Sequence, residues 1–213
     1  MATTTDEFGD FYDERRAASD LKRYHEKGPR PWTRTLIESL KAEGVEGATL
    51  LDIGGGIGAI QHELLDAGLA RATSVDASGP YLDASRKESD RRGYGGRVTY
   101  RHGDFVELAE SIAPADIVTL DRVINVYPDW QRLIELSAAR ARRLYGLVYP
   151  RDRRFVKLVI VGINLTSRLR GKGVRAAVRP ADAVERALRE NGFTLHVAKS
   201  VGPAWQVAVY RRL

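Results

Sequence analysis

The sequence predicts an α/β fold: a seven-stranded, mostly parallel sheet with an antiparallel last strand, helices on both faces and a helical leader before the first strand. Three observations predict it. Short apolar runs alternate five times with helical patterns between residues 49 and 149, joined by short loops, which is the pattern of a parallel sheet covered on both sides. The last two apolar runs, Phe193–Lys199 and Trp205–Tyr210, are joined by Val201-Gly202-Pro203-Ala204, and so short a link implies antiparallel pairing. Residues 1–47 carry helical spacing and no strand signal.

The elements follow in order. Phe8 to His25 reads as a helix, with Phe11, Ala18, Leu21 and Tyr24 at helical spacings, and Gly28-Pro29-Arg30-Pro31 breaks it. Trp32 to Lys41 forms a second helix, with Trp32, Leu36, Ile37 and Leu40 on one face. Gly44 and Gly47 precede strand 1, Thr49–Ile53, and the helix after it runs to Ala67. Strand 2 is Ala72–Asp76, followed by a helix from Tyr81 to Arg92 with Pro80 near its first turn. Strand 3 is Val98–His102, then a short helix Phe105–Ser111, then strand 4, Asp116–Leu120. Pro128 opens a helix reaching about Ala139, and strand 5 is Leu144–Tyr149. An added apolar helix, Asp152–Leu169, has apolar residues on more than one stripe and is expected to bury two faces. A basic turn, Arg170-Gly171-Lys172-Gly173, and a helix, Pro180–Asn191, lead into the final hairpin. The expected organisation is one domain, 1–213: leader or lid 1–47, ligand-binding core 48–150, acceptor-side helices and hairpin 151–213.

Composition narrows the function. The 213 residues suffice for one sizeable core, and 43% hydrophobic with 29% charged residues is ordinary for a globular chain. There is no cysteine, which excludes disulfides, thiolate chemistry and soft zinc ligands, and the four histidines show no metal spacing, so no metal is expected. The polar first residues are not a secretory signal and the longest apolar stretch, Phe155–Leu165, is too short to span a bilayer, so a cytoplasmic protein is expected. The net charge of +6 comes from dispersed basic residues without the aromatic interleaving of RNA-binding sheets, so a nucleic-acid partner is not favoured, although an RNA substrate remains an alternative.

The most informative stretch is Leu50-Leu51-Asp52-Ile53-Gly54-Gly55-Gly56-Ile57-Gly58: an apolar strand ending in an acid, then a glycine turn and a helix start open to a ligand. A second acid, Asp76, closes strand 2, and Gly103-Asp104-Phe105 follows strand 3. Gly54-Gly55-Gly56-Ile57-Gly58-Ala59 also matches the dinucleotide pattern, with Asp76 at the ribose spacing, so an NAD-dependent oxidoreductase is an alternative. Three features favour S-adenosylmethionine instead. Asp52 lies within the strand end and needs a cation or hydrogen bonds. The long helical leader is an unusual prelude to a nicotinamide domain. Gly103-Asp104-Phe105 is well placed to meet an adenine.

On these residues the chain resembles the class I S-adenosylmethionine-dependent methyltransferases, which are Rossmann-like. Leu51 to Gly58 resembles their first motif, Ser74-Val75-Asp76-Ala77-Ser78 their ribose-binding segment, Gly103-Asp104-Phe105 their adenine segment, and Asp116 to Arg122 their fourth strand with the loop beside the methyl group. The Phe8–Tyr24 leader and the apolar helix after strand 5 carry a weaker likeness to the magnesium-protoporphyrin O-methyltransferases. The resemblance implies that Gly54, Gly56 and Gly58 pass close to the methionine part, that Asp52 organises the loop and the ammonium, that Asp76, with Ala77 beside it, grips the ribose, that Asp104 and Phe105 meet the adenine, and that Asp121 borders the methyl. The alternatives are a helix cap for Asp52, an Asx turn for Asp76, an N-cap for Asp104 and core packing for Phe105.

The acceptor is less legible. The amine-methylating tetrapeptide of the Asn/Asp-Pro-Pro-Tyr/Phe kind is absent, and Asp121-Arg122-Val123-Ile124-Asn125-Val126-Tyr127-Pro128 stands in its place. Arg122 could hold a carboxylate or phosphate, or pair internally with Asp121. Tyr127 could orient an acceptor or pack under the helix, and His62, one turn into the cofactor helix, is a further catalytic candidate set against a merely packed histidine. The expectation is O-methylation, on a hydroxyl or carboxylate, of a small and partly apolar acceptor. A non-catalytic cofactor-binding module is the remaining alternative. The apolar helix after strand 5 could roof the acceptor, form a dimer or touch a membrane surface, so monomer and homodimer both stay open.

Overall fold

A computed structural model of the chain describes residues 12–169 and 175–213. Phe8, Phe11 and the Arg170–Gly173 turn lie outside the described residues. The elements run α1 (Glu14–Lys27), α2 (Pro31–Ala42), β1 (Thr49–Ile53), α3 (Ala59–Asp66), β2 (Arg71–Asp76), α4 (Gly79–Arg91), β3 (Val98–His102), α5 (Phe105–Leu108), β4 (Ala115–Asp121), α6 (Trp130–Ala138), β5 (Ala141–Pro150), α7 (Arg154–Leu169), α8 (Ala181–Glu190), β6 (Phe193–Val201) and β7 (Trp205–Arg212).

The seven strands form one sheet in the order β3-β2-β1-β4-β5-β7-β6. β1 pairs in parallel with β2 and β4, and β4 with β5, whereas β7 runs antiparallel to both β5 and β6. The chain order reverses between β1 and β4, where the outgoing loops diverge and leave a crevice at the strand tips. The register sets Asp52 between Ser74 and Thr119, and Asp76 opposite His102.

Both faces of the sheet are covered. On one, α2 lays Leu36, Ile37 and Leu40 against Leu50, Leu64, Ile117 and Val209. Each such buried side chain contributes roughly 1.5–3 kcal/mol. On the other, Phe105, Trp130, Leu133, Val184 and Leu188 close over Leu51, Val118 and Tyr145. A third cluster joins the leader to the crevice: Ala17 and Tyr24 of α1 meet Ile57 and Tyr81.

Several boundaries move for local reasons. α1 starts at Glu14 because Asp13 accepts from the Arg16 N–H at 2.9 Å, and α6 starts after Pro128 because Asp129 accepts from the Arg132 N–H. β5 begins at Ala141, ahead of the expected Leu144, because its first residue pairs with Ala115 and its carbonyl receives the Arg212 guanidinium. The expectation of two buried faces for the helix after strand 5 is overturned. In α7, Val156 and Ile160 are buried, while Phe155, Leu158, Val159, Val161, Ile163 and Leu165 are exposed.

Candidate active site

The turn after β1 is shaped by backbone demands. Gly54, Gly56 and Gly58 all adopt positive φ, at 63°, 58° and 80°. A Cβ at Gly55 would lie 2.9 Å from both Asp52 Oδ2 and Ser74 Oγ, so the turn is pressed against the strand tips. α3 starts from Gly58 without any side-chain cap, so Asp52 does not cap that helix. Instead Asp52 is 1% exposed; its Oδ1 accepts from the Thr119 hydroxyl at 2.7 Å and its Oδ2 has no partner among the described residues. Burial raises its pKa to about 7, against the pull of the Thr119 bond and with a further push from Asp121 and Asp76.

Asp76 closes β2 beside it. Its Oδ2 accepts from the Gly56 N–H at 2.9 Å and its Oδ1 from the Ser78 N–H at 2.8 Å, the latter an Asx turn. Burial raises its pKa, and those two N–H donors oppose the rise. Asp104 caps α5 through the Val106 N–H and also accepts from the Tyr127 hydroxyl on both oxygens, at 3.0 and 2.9 Å. Phe105 is both a core residue and part of the crevice wall.

One cavity of about 250 Å³ gathers these tips: Gly54, Gly56, Asp76, Ala77, Asp104, Phe105, Asp121, Arg122 and Tyr127 all line it. Tyr12 and Asp20 of the leader region, Tyr81, Asn125 and Trp205 complete its walls. A smaller space of about 80 Å³ adjoins it, bordered by Asp52, Arg23, Arg30 and Thr33 as well as by Gly54, Gly56, Asp121 and Arg122.

The loop after β4 has an unusual backbone. Arg122 has φ 63°, the one positive value among the described non-glycine residues, which marks stored strain of the kind found at functional sites. Asp121 is held from both sides: Oδ1 by Arg122 Nε at 3.1 Å and Oδ2 by the Thr33 hydroxyl at 2.5 Å. Burial pulls the Arg122 pKa down, but Asp121, Tyr12 and Asp20 together outweigh it and raise it, so the guanidinium stays charged. The same guanidinium lies 5.6 Å from the centre of the Trp32 ring, which in turn stacks 4.8 Å from Trp205.

Two expected site residues sit elsewhere, and a third lies at one end of the cavity. His62 is fully buried, bonds Ser89 at 2.8 Å through Nε2 and lines neither space; burial, then the nearby Arg92, lower its pKa to about 4. It is a neutral packing residue between α3 and α4. Gly58 is also absent from both walls: a Cβ there would meet Ser85, Gln61 and His62, so its bareness serves helix packing. Tyr127 lines the cavity but at the Asp104 end, away from Arg122's pairing with Asp121 and Thr33. Burial and the bond to Asp104 push its pKa up, so it is a neutral donor.

Sequence reasoning missed Tyr12, Asp20, Arg23, Arg30, Thr33, Asn125 and Trp205. Asp20 is the most telling, since it accepts from both Tyr81 Oη at 2.8 Å and Arg30 at 3.0 Å and so ties α1 over the turn. An acid midway along a basic helix is the one available signal. Asn125 is buried, its Oδ1 has no partner among the described residues, and nothing in its local sequence marks it.

Residues 50–143 match the family model described as a methyltransferase domain. A ribosomal protein L11 methyltransferase of Yersinia pseudotuberculosis is 28% identical over 136 residues, covering 61% of this chain and 46% of that protein. The chain thus spans just under half the length of the curated relatives it matches. Among solved structures, the magnesium protoporphyrin IX methyltransferase from Synechocystis PCC 6803 with bound SAH covers 100% of this chain and 89% of its own, with a TM-score of 0.64 and 16% identity. An O-methyltransferase family protein from Burkholderia thailandensis covers 94% and 60%, with a TM-score of 0.72 and 17% identity. The match favours the methyltransferase reading of the glycine turn over the dinucleotide one. Strand order, glycine turn and the match over residues 50–143 agree on a Rossmann-like fold similar to that of the methyltransferases.

Proposed function

We propose that this protein transfers a methyl group from S-adenosylmethionine to an oxygen of a small, partly apolar acceptor. The bound cofactor supplies a methyl already activated by its sulfonium, so alignment can account for much of the rate. The observation that carries the reading is Asp52. A carboxylate sealed from water with one oxygen unpaired is costly until a cation meets it, and the cofactor's ammonium is such a cation. Asp76, oriented by two backbone donors, turns its remaining lone pairs to ribose hydroxyls, and Asp104 accepts from the adenine amino group. Arg23 and Arg30 offer charge to the cofactor carboxylate across the smaller space. Tyr12 and α1 form the lid.

On the acceptor side, each candidate base is committed. Asp121 is occupied by Thr33 and Arg122, Tyr127 donates to Asp104, and His62 lies off the walls. An acceptor that arrives already ionised needs no base. Of the two oxygen acceptors a carboxylate is therefore favoured, with Arg122 as its charged partner.

The test is transfer of isotopically labelled methyl from S-adenosylmethionine to a panel of apolar carboxylic acids and phenols, with the product then treated with mild alkali. A base-labile ester is expected. Label in phenols alone would overturn the carboxylate preference, label in RNA alone would move the protein to nucleic-acid methylation, and binding without transfer to any acceptor would make it a cofactor-binding module.

A further inference from the structure

α7 keeps most of its apolar side chains in water. Phe155 is 43% exposed, Leu158 72%, Val159 56%, Val161 63%, Ile163 51% and Leu165 58%, while only the Val156–Ile160 stripe is buried against the fold. At 100° per residue the exposed set covers about half of the helix circumference. A contiguous apolar surface of this size marks an interaction site.

The charges beside it say what kind. From Arg153 to Ala181 the sequence contains no Asp or Glu. Helical spacing places Arg154, Lys157 and Arg168 along one edge of the apolar face, with Arg153 at the helix start; of these Lys157 pairs with Asp152 at 2.6 Å. A second copy docking through the same face would bring two acid-free basic stretches together, which is unfavourable in a self-complementary contact. An anionic bilayer surface offers both an apolar depth for the exposed side chains and negative charge for the cationic edge. No described helix is long and apolar enough to cross a membrane, so α7 would lie flat.

We infer that α7 is an interfacial helix that seats this protein on an anionic lipid surface. The helix is also tied to the cavity. Asn164 exchanges two hydrogen bonds with the Ala176 backbone, at 2.7 and 2.9 Å. The Ala177 N–H then donates to the Asn125 carbonyl at 2.6 Å, and Arg179 donates to the carbonyls of Ile124 and Tyr127. A helix resting on lipid is thus one strap away from the loop that walls the cavity.

The full chain is mixed with vesicles of phosphatidylcholine, or of phosphatidylcholine with phosphatidylglycerol, and separated by flotation. It should float with the anionic vesicles and be released by salt. The double variant Leu158→Asp, Leu165→Asp should keep the wild-type melting temperature and bind at least about tenfold more weakly. A Leu158→Trp variant should show blue-shifted emission on the anionic vesicles. Absence of the wild type from the floated fraction overturns the inference, as does unimpaired flotation of a folded double variant. A dimer in light scattering that the double variant splits, without vesicle binding, assigns the face to a second copy instead. If the double variant does not fold, an unshifted emission spectrum from the Leu158→Trp variant decides against lipid. The assay needs neither cofactor nor acceptor, so its result is independent of the proposed reaction.

Discussion

The two ends of the crevice are built by different means. At the end proposed for the cofactor, the acids lie at or just beyond strand ends and are held mostly by neighbours close in chain or in strand register: Asp76 by Gly56 and Ser78, Asp104 by Val106 with Tyr127 reaching back to it, Asp52 by Thr119 across one ladder rung. At the end proposed for the acceptor, Asp121 and Arg122 meet Thr33 and Trp32 of α2, and Trp205 arrives from β7. The first end depends on strand tips and glycine turns. The second depends on distant segments arriving together. Substitutions at the first should therefore act on cofactor binding, and at the second on the acceptor.

The largest expected effect is at Asp52. Asp52→Asn should weaken S-adenosylhomocysteine binding by about 10²-fold in calorimetry, since it removes the charge proposed to meet the ammonium. The pH dependence sharpens this. With its folded pKa raised to about 7, Asp52 retains a proton that the unfolded chain has released above its ordinary carboxylate value. The cofactor-free protein should therefore lose stability as pH rises through that window and level off above about 7. Binding a cation requires the ionised form, so affinity should fall as pH drops below about 7, and Asp52→Asn should flatten that slope. A slope that persists in the variant would place the titrating group elsewhere.

A smaller and separable effect is expected at Arg122. Arg122→Met should lower kcat/KM for a carboxylate acceptor by roughly 10- to 100-fold while leaving S-adenosylhomocysteine affinity within about twofold. Parallel loss of both would show that the two ends are not independent. The smallest effect is expected at His62. His62→Gln should keep turnover within about twofold and lower the melting temperature by a few degrees, because its bond to Ser89 joins α3 to α4 and no atom of it reaches the cavity. A strongly reduced turnover at unchanged stability would restore it to the chemistry.

The same contrast governs what can be read from sequence. β1 falls where its apolar run puts it, since a central strand needs unbroken apolar residues, and β3, at the edge of the sheet, also keeps its expected bounds, Val98–His102. His62 is ambiguous because helical position does not reveal whether a ring faces a crevice or a neighbouring helix. Tyr127 follows strand 4 in sequence, yet the loop carries its hydroxyl back to Asp104. α7 misleads in the opposite direction: its apolar residues imply burial only if something packs on them, and the fold supplies a partner for one stripe alone.

By itself, the sequence determined the alternation of strands and helices, the glycine turn and the acids at the strand tips, because backbone geometry and solvent exclusion act on residues within a few positions of one another. Tertiary structure alone decided that Asp121 is engaged by Thr33, that Asp20 clasps Tyr81 and Arg30, that His62 is sealed, and that one side of α7 faces solvent. Those outcomes depend on which remote surfaces meet when the chain closes, a long-range packing result that no local pattern encodes.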